Sequence, residues 1–143
     1  MKNFSEIQSL MKSDIEKTDE ILIDRLDSNV DLINQMSHYI IASGGKRLRP
    51  LLLLLSARAT NYVGTDHHAM AVVIELIHTA TLLHDDVVDE STTRRGQDTA
   101  NELWGNAPSV LVGDFLYSRA FEIMVEPNSM AIMRILSKAT NQI

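Results

Sequence analysis

Cysteine is absent, so neither a disulfide nor a thiolate-held metal can contribute to this protein. Positive charge is also scarce: 13 Lys and Arg stand against 19 Asp and Glu, a net charge of −6. That balance argues against a nucleic-acid interface, which needs a basic face to neutralise phosphates. Long apolar runs are missing too. The most apolar one, Leu51 to Leu55, is far too short to span a bilayer, and Arg58 follows it closely. The opening residues lack the continuous apolar core of a secretory signal. A soluble, cytoplasmic protein without a transmembrane segment is therefore expected. No stretch alternates with the period of a half-buried strand, and there is no solenoid-length repeat or low-complexity tract.

What remains reads as helix. A chain of 143 residues with 45% apolar content suits one domain, residues 1–143, with a real core. Phe4, Ile7, Met11, Ile15, Leu22 and Leu26 recur mostly at three- and four-residue steps, an amphipathic helix. Asp27-Ser28-Asn29 reads as a turn that caps a second helix, Val30 to Ala42, which Ser43-Gly44-Gly45 ends. A third runs from Leu48 to Ala59 with Pro50 in its first turn. The longest spans His67 to Glu90, with Asp66 as its cap and an acidic cluster at its carboxyl end. Ser91 to Thr99 forms a polar loop. Asn106-Ala107-Pro108 opens a helix to Val125, Glu126-Pro127-Asn128 breaks it, and Ser129 begins the last. The fold class is all-α, an antiparallel helical bundle with short connections.

The acidic cluster carries the clearest chemistry. Asp85 and Asp89 lie four apart, one above the other on one helix face, and Asp86 sits about 100° round. Hard carboxylate oxygens at that spacing can share divalent cations, with Mg²⁺ keeping positions for water and phosphate. Acids at a helix C-terminus are mildly destabilising without a compensating cation, which argues against a merely solvated end. Upstream, Ala80, Thr81, Leu82 and Leu83 make an apolar, uncharged wall. His78 lies two turns before Asp85 and by itself reads as a core histidine. Arg94 and Arg95 follow the acids, and paired guanidiniums suit phosphate recognition. A second cationic group, Lys46, Arg47 and Arg49, stands at a helix start, where dipole and free N–H groups also favour anions. It lacks the frame of a Walker loop. Two anion sites beside an apolar wall fit two diphosphates with hydrocarbon tails.

Four blocks, GGKRLRP from Gly44, IELIHTATLLHDDVVDEST from Ile74, RRGQDTANELWGN from Arg94 and PSVLVGDFLYSRAF from Pro108, occur in this order. Together they resemble the trans-polyprenyl diphosphate synthases, above all the octaprenyl-type enzymes that make quinone side chains. The likeness runs from Ser43 to Ala139. It implies the isoprenoid synthase fold and head-to-tail prenyl transfer from an allylic diphosphate, such as farnesyl diphosphate, to isopentenyl diphosphate. It also implies Mg²⁺ as cofactor, held by Asp85 and Asp89 with Asp86 assisting, these three being the catalytic carboxylates. Arg94 is implied in allylic diphosphate binding. Lys46, Arg49, His78 and Arg95 are implied in isopentenyl diphosphate binding, a different role for His78 from its isolated reading. Small side chains at Ala80 and Thr81, one turn before Asp85, imply a long product of the octaprenyl order. A homodimer follows from the family alone.

One departure matters. Members of that family are about twice as long and carry a second aspartate-rich motif, yet no aspartate follows Asp114 here. The chain matches an amino-terminal half. Alone it is expected to turn over little or nothing, and to expose apolar helix faces that favour association. Two alternatives come from other classes: a non-catalytic helical partner subunit, and a fragment of a class I terpene cyclase. The cyclase shares the aspartates but has no use for GGKRLRP or His78.

Overall fold

A computed structural model of the chain describes residues 3–43 and 45–142. Met1, Lys2, Gly44 and Ile143 lie outside the described residues, so the glycine pair read as a helix stop is represented by Gly45 alone. Among the described residues, eight helices and one two-residue hairpin follow in chain order. They are α1 (Phe4–Leu10), α2 (Lys12–Arg25), α3 (Asp31–Ala42), α4 (Leu48–Ala59), α5 (Asp66–Val88), α6 (Ala100–Trp104), α7 (Asn106–Val125) and α8 (Met130–Thr140). The hairpin strands β1 (Thr93–Arg94) and β2 (Gln97–Asp98) lie between α5 and α6.

The longest helix is the centre of the molecule. Burial in α5 runs almost all round its middle, through Met70, Ala71, Val72, Val73, Leu76, Ile77, Thr79, Ala80 and Leu83. A helix apolar on every side must be covered on every side. Its chief neighbour is α7, followed by α4 and α2. From α7, Val112, Leu116, Ala120, Ile123 and Met124 enter the same core at helical spacing. Truncating one such residue, Leu76 for example, to Ala costs about 2–5 kcal/mol.

Several boundaries differ from the sequence reading, each for a local reason. The first helix is two, because Met11 takes φ −100° and ψ 9°. Its side chain is fully buried against Leu51, Leu54 and Ala71, and Arg58 donates to the Leu10 carbonyl at 2.9 Å. No side chain of Asp27-Ser28-Asn29 caps α3, whose N-cap is Val30. Instead Asn34 bridges back, accepting from Ser28 N at 3.0 Å and donating to Ser28 O at 2.8 Å. Asp66 lies inside α5 rather than capping it, and its carboxylate accepts from the Tyr62 hydroxyl at 3.2 Å. The loop after the acidic cluster is a hairpin, and α6 follows it, neither of which the sequence reading contained. Strands of two residues carry no readable alternation. The remaining bounds agree to within two residues, α5 ending at Val88 rather than Glu90, and include α4 and the Ser129 cap, whose hydroxyl accepts from Ile132 N at 3.4 Å.

Apolar surface is left open near the end of the described chain. Leu111 (65% exposed), Met130 (71%) and Ile135 (68%) face outward, and α8 buries no residue. Among the described residues, no helix is long and apolar enough to cross a membrane.

Candidate active site

The glycine turn before α4 and the hairpin after α5 are far apart in sequence, yet α5 brings them together. A cleft of about 490 Å³ opens between them, lined by Lys46, Arg49, His78, Asp86, Arg94 and Arg95 among others. Both cationic groups of the sequence thus meet in one place. The apolar part of the lining includes Leu48, Leu82 and Leu83.

The hairpin that carries the two arginines is firmly anchored. Its turn residues, Arg95 and Gly96, both have positive φ, 54° and 79°, the pattern that lets a two-residue turn follow strand twist. Thr99 Oγ1 and Asn101 Nδ2 donate to the Ser91 carbonyl at 2.7 and 2.9 Å, closing the base of the loop. Tyr39 reaches from α3 to donate to the Asp98 carbonyl at 2.8 Å. Gly45 is needed for a close approach. A Cβ there would stand 2.5 Å from Arg95 Nη1, so the missing side chain gives the guanidinium its place. Arg47, the N-cap of α4, is also left-handed (φ 44°), a conformation costly without glycine and found where surroundings enforce it. Its ion pair with Asp19 of α2, at 3.0 Å, is one such constraint.

Charges within the cleft are arranged unevenly. Arg49 Nη1 lies 3.0 Å from His78 Nε2. Arginine can only donate, so Nε2 accepts and the ring proton sits on Nδ1. Partial burial, then the positive fields of Arg49, Arg95 and Arg94, push the His78 pKa below its usual value. Glu75, one turn before His78, also lines the cleft. Burial raises its pKa, against the opposing pull of Arg47, Arg49 and Arg95. The sequence reading missed Glu75, although an acid three residues from His78 in an apolar helix was the available signal.

The three aspartates divide into two kinds. Asp86 is buried, and Arg94 holds it with Nε at 3.1 Å from both oxygens and Nη2 at 2.7 Å from Oδ1. Asp85 and Asp89 are exposed, and their carboxylates have no hydrogen-bond or ion-pair partner among the described residues. The Asp89 amide donates to the Asp85 carbonyl at 2.8 Å, so the helical register that stacks these two carboxylates persists to the end of α5. Two solvent-facing hard-oxygen donors one turn apart fit a magnesium ion. Ala80 is fully buried in the main core, and Thr81 is half-buried with its hydroxyl donating to the Ile77 carbonyl at 2.6 Å. Neither lines the cleft.

Known proteins share this fold. The family model for polyprenyl synthetase matches residues 30–143, most of the chain. The chain belongs to the polyprenyl synthetase family. It is 50% identical over 141 residues to octaprenyl diphosphate synthase of Escherichia coli, covering 99% of this chain and 44% of that relative. A polyprenyl synthase from Caulobacter crescentus, solved with calcium and isoprenyl diphosphate, superposes with a TM-score of 0.94 at 45% identity. That match covers 97% of this chain and 42% of the other. A decaprenyl diphosphate synthase from Rhodobacter capsulatus gives 0.93 at 42% identity, covering 97% and 43%. The bundle is therefore of the isoprenoid synthase type expected from the sequence. The chain spans less than half the length of each of these three proteins.

Proposed function

We propose that this chain supplies the first aspartate-rich wall and the homoallylic diphosphate pocket of a long-chain prenyltransferase. The reaction joins an allylic diphosphate head-to-tail to isopentenyl diphosphate and repeats to an octaprenyl-like length, for quinone side chains. The observation that carries this reading is the convergence of Lys46, Arg49, His78, Arg94 and Arg95 on one cleft beside the acidic end of α5. Relatives named for octaprenyl and decaprenyl products, and one captured with an isoprenyl diphosphate, support it.

The residues divide the work by charge. Lys46, Arg49, Arg95 and the Nδ1–H of His78 hold the diphosphate of isopentenyl diphosphate without a metal, so that it binds but does not ionise. Glu75 limits the mutual repulsion of these cations before substrate arrives. Asp85 and Asp89 would hold Mg²⁺, which would supply positive charge against the departing allylic diphosphate. Asp86 fixes Arg94 so that its remaining N–H groups face the allylic diphosphate without reorganisation. Apolar walls exclude water from the electron-poor carbon that remains. The family likeness assigns product length to the small side chains of Ala80 and Thr81, which pack behind the cleft wall rather than lining it. A cytoplasmic homodimer, primed by farnesyl diphosphate or a similar substrate, completes the proposal. The chain alone is expected to bind diphosphate and not to elongate.

Calorimetric titration of the chain with inorganic diphosphate tests the pocket. Lys46→Ala and Arg49→Ala should each weaken binding about tenfold or more, since each removes a charge-assisted hydrogen bond of about 1.5–3 kcal/mol. Fusing the chain to the carboxyl-terminal segment of the Escherichia coli relative should restore incorporation of labelled isopentenyl diphosphate, and Asp85→Ala should abolish it. Unchanged titrations, or elongation that survives Asp85→Ala, would refute the assignment.

A further inference from the structure

A second group of ligating side chains lies at the other end of α5. His67 and His68 open that helix, and Asp14 faces them from the first turn of α2. His68 Nε2 stands 3.0 Å from Asp14 Oδ1, and His67 Nε2 stands 4.0 Å from the same oxygen. The two imidazoles are stacked, with centroids 3.9 Å apart and a 38° tilt. All three donor atoms lie within 4.8 Å of one another. None of the side chains is freely solvated, at 17%, 16% and 29% exposure for His67, His68 and Asp14.

We propose that Asp14, His67 and His68 form a transition-metal site, of the Zn²⁺ class, that clamps α2 onto α5. A tetrahedral ion with bonds of about 2.0–2.1 Å needs donor atoms about 3.3 Å apart, between the two spacings observed. Two imidazoles and one carboxylate, with water in the fourth position, are a common donor set for zinc and a poor one for magnesium. The site is separate from the aspartate-rich end, since 18 residues of helix from His67 to Asp85 span about 27 Å. The order of elements makes the clamp useful: α2 reaches the core mainly through α5, and Asp14 sits at its outer end.

The test is titration of metal-stripped chain with Zn²⁺ in millimolar Mg²⁺, with Co²⁺ absorption as a report on coordination geometry. One ion per chain and the visible bands of four-coordinate Co²⁺ are expected. Asp14→Ala and His68→Ala should each weaken Zn²⁺ binding by about tenfold or more. His38→Ala, an exposed histidine on α3, and Asp85→Ala should leave it unchanged. Substoichiometric uptake by the unaltered chain would overturn the proposal whatever the variants do. So would binding that survives Asp14→Ala with His68→Ala, or that is lost with His38→Ala or Asp85→Ala. Thermal unfolding gives an independent readout, with a midpoint that rises on adding Zn²⁺ to the unaltered chain and stays fixed in His68→Ala.

Discussion

Arg94→Ala is the perturbation that bears most directly on the anatomy of the site. The Asp86 side chain is 7% exposed and that of Arg94 is 40% exposed, so the pair lies between a surface bridge and a sealed one. Exposed pairs contribute about 0–1 kcal/mol, whereas breaking a buried pair costs about 3–5 kcal/mol because a charge is stranded. Three contacts of 2.7–3.1 Å end on Asp86, and among the described residues no other side chain donates to its carboxylate. The half-open arginine argues for a value between those limits, about 2–3 kcal/mol for Arg94→Ala. Asp86→Asn should cost less, about 1 kcal/mol, since the amide oxygen still accepts from Arg94. Urea unfolding followed by circular dichroism measures both, and a cycle with Asp86→Ala isolates their interaction. In the Asp86→Ala background the loss of Arg94 should cost almost nothing, because no buried carboxylate remains to be stranded. Equal costs in the two backgrounds would refute the reasoning, and Asp86 would then rank with Asp85 and Asp89 as an independent acid.

Other predictions follow from single contacts. Gly45→Ala should alter stability by less than about 0.5 kcal/mol, because the colliding Arg95 guanidinium is the flexible end of a side chain, yet it should weaken diphosphate binding by displacing that group. Ala80→Phe inserts a ring where the side chain has no free surface, so thermal unfolding should show a loss of about 1–3 kcal/mol. In the fused enzyme the same change should shorten the product; an unaltered product distribution on chromatography would remove Ala80 from the chain-length role. Acid should destabilise the chain through His78. Its folded pKa lies below the ordinary 6.5, so its contribution is complete above pH 6.5 and is lost as pH falls from there through the folded value. His78→Gln should flatten that part of the stability–pH curve, and an unchanged slope would show that the histidine is not shielded from protonation.

Much of this protein was legible in its sequence because helices announce themselves locally. Apolar spacing located α4, α5 and α7 to within a residue or two, and Pro127 with Ser129 marked the last break. The Asp85 and Asp89 pair needed only helical geometry to be placed on one face. Met11 shows where local reading fails: its apolar period continues, but burial against α4 and the Arg58 contact at Leu10 interrupt the helix. The short hairpin at Thr93–Asp98 had no alternation long enough to detect, although Arg95-Gly96 is a turn with a mechanism.

By itself, then, the sequence determined the helical class, the acidic helix end and the two sets of cations, since each depends on neighbours a few residues away. Only the tertiary structure decided which of these groups meet. It brought Gly45 against Arg95, set Glu75 among three arginines, and made Asp86 the partner of Arg94 rather than an open acid like Asp85 and Asp89. It also joined Asp14 to His68, 54 positions further along the chain, and to the adjacent His67. The physical reason is the packing of α5. A helix buried on nearly every side must collect neighbours from the whole chain, and those neighbours, not sequence proximity, choose the partner of each polar side chain.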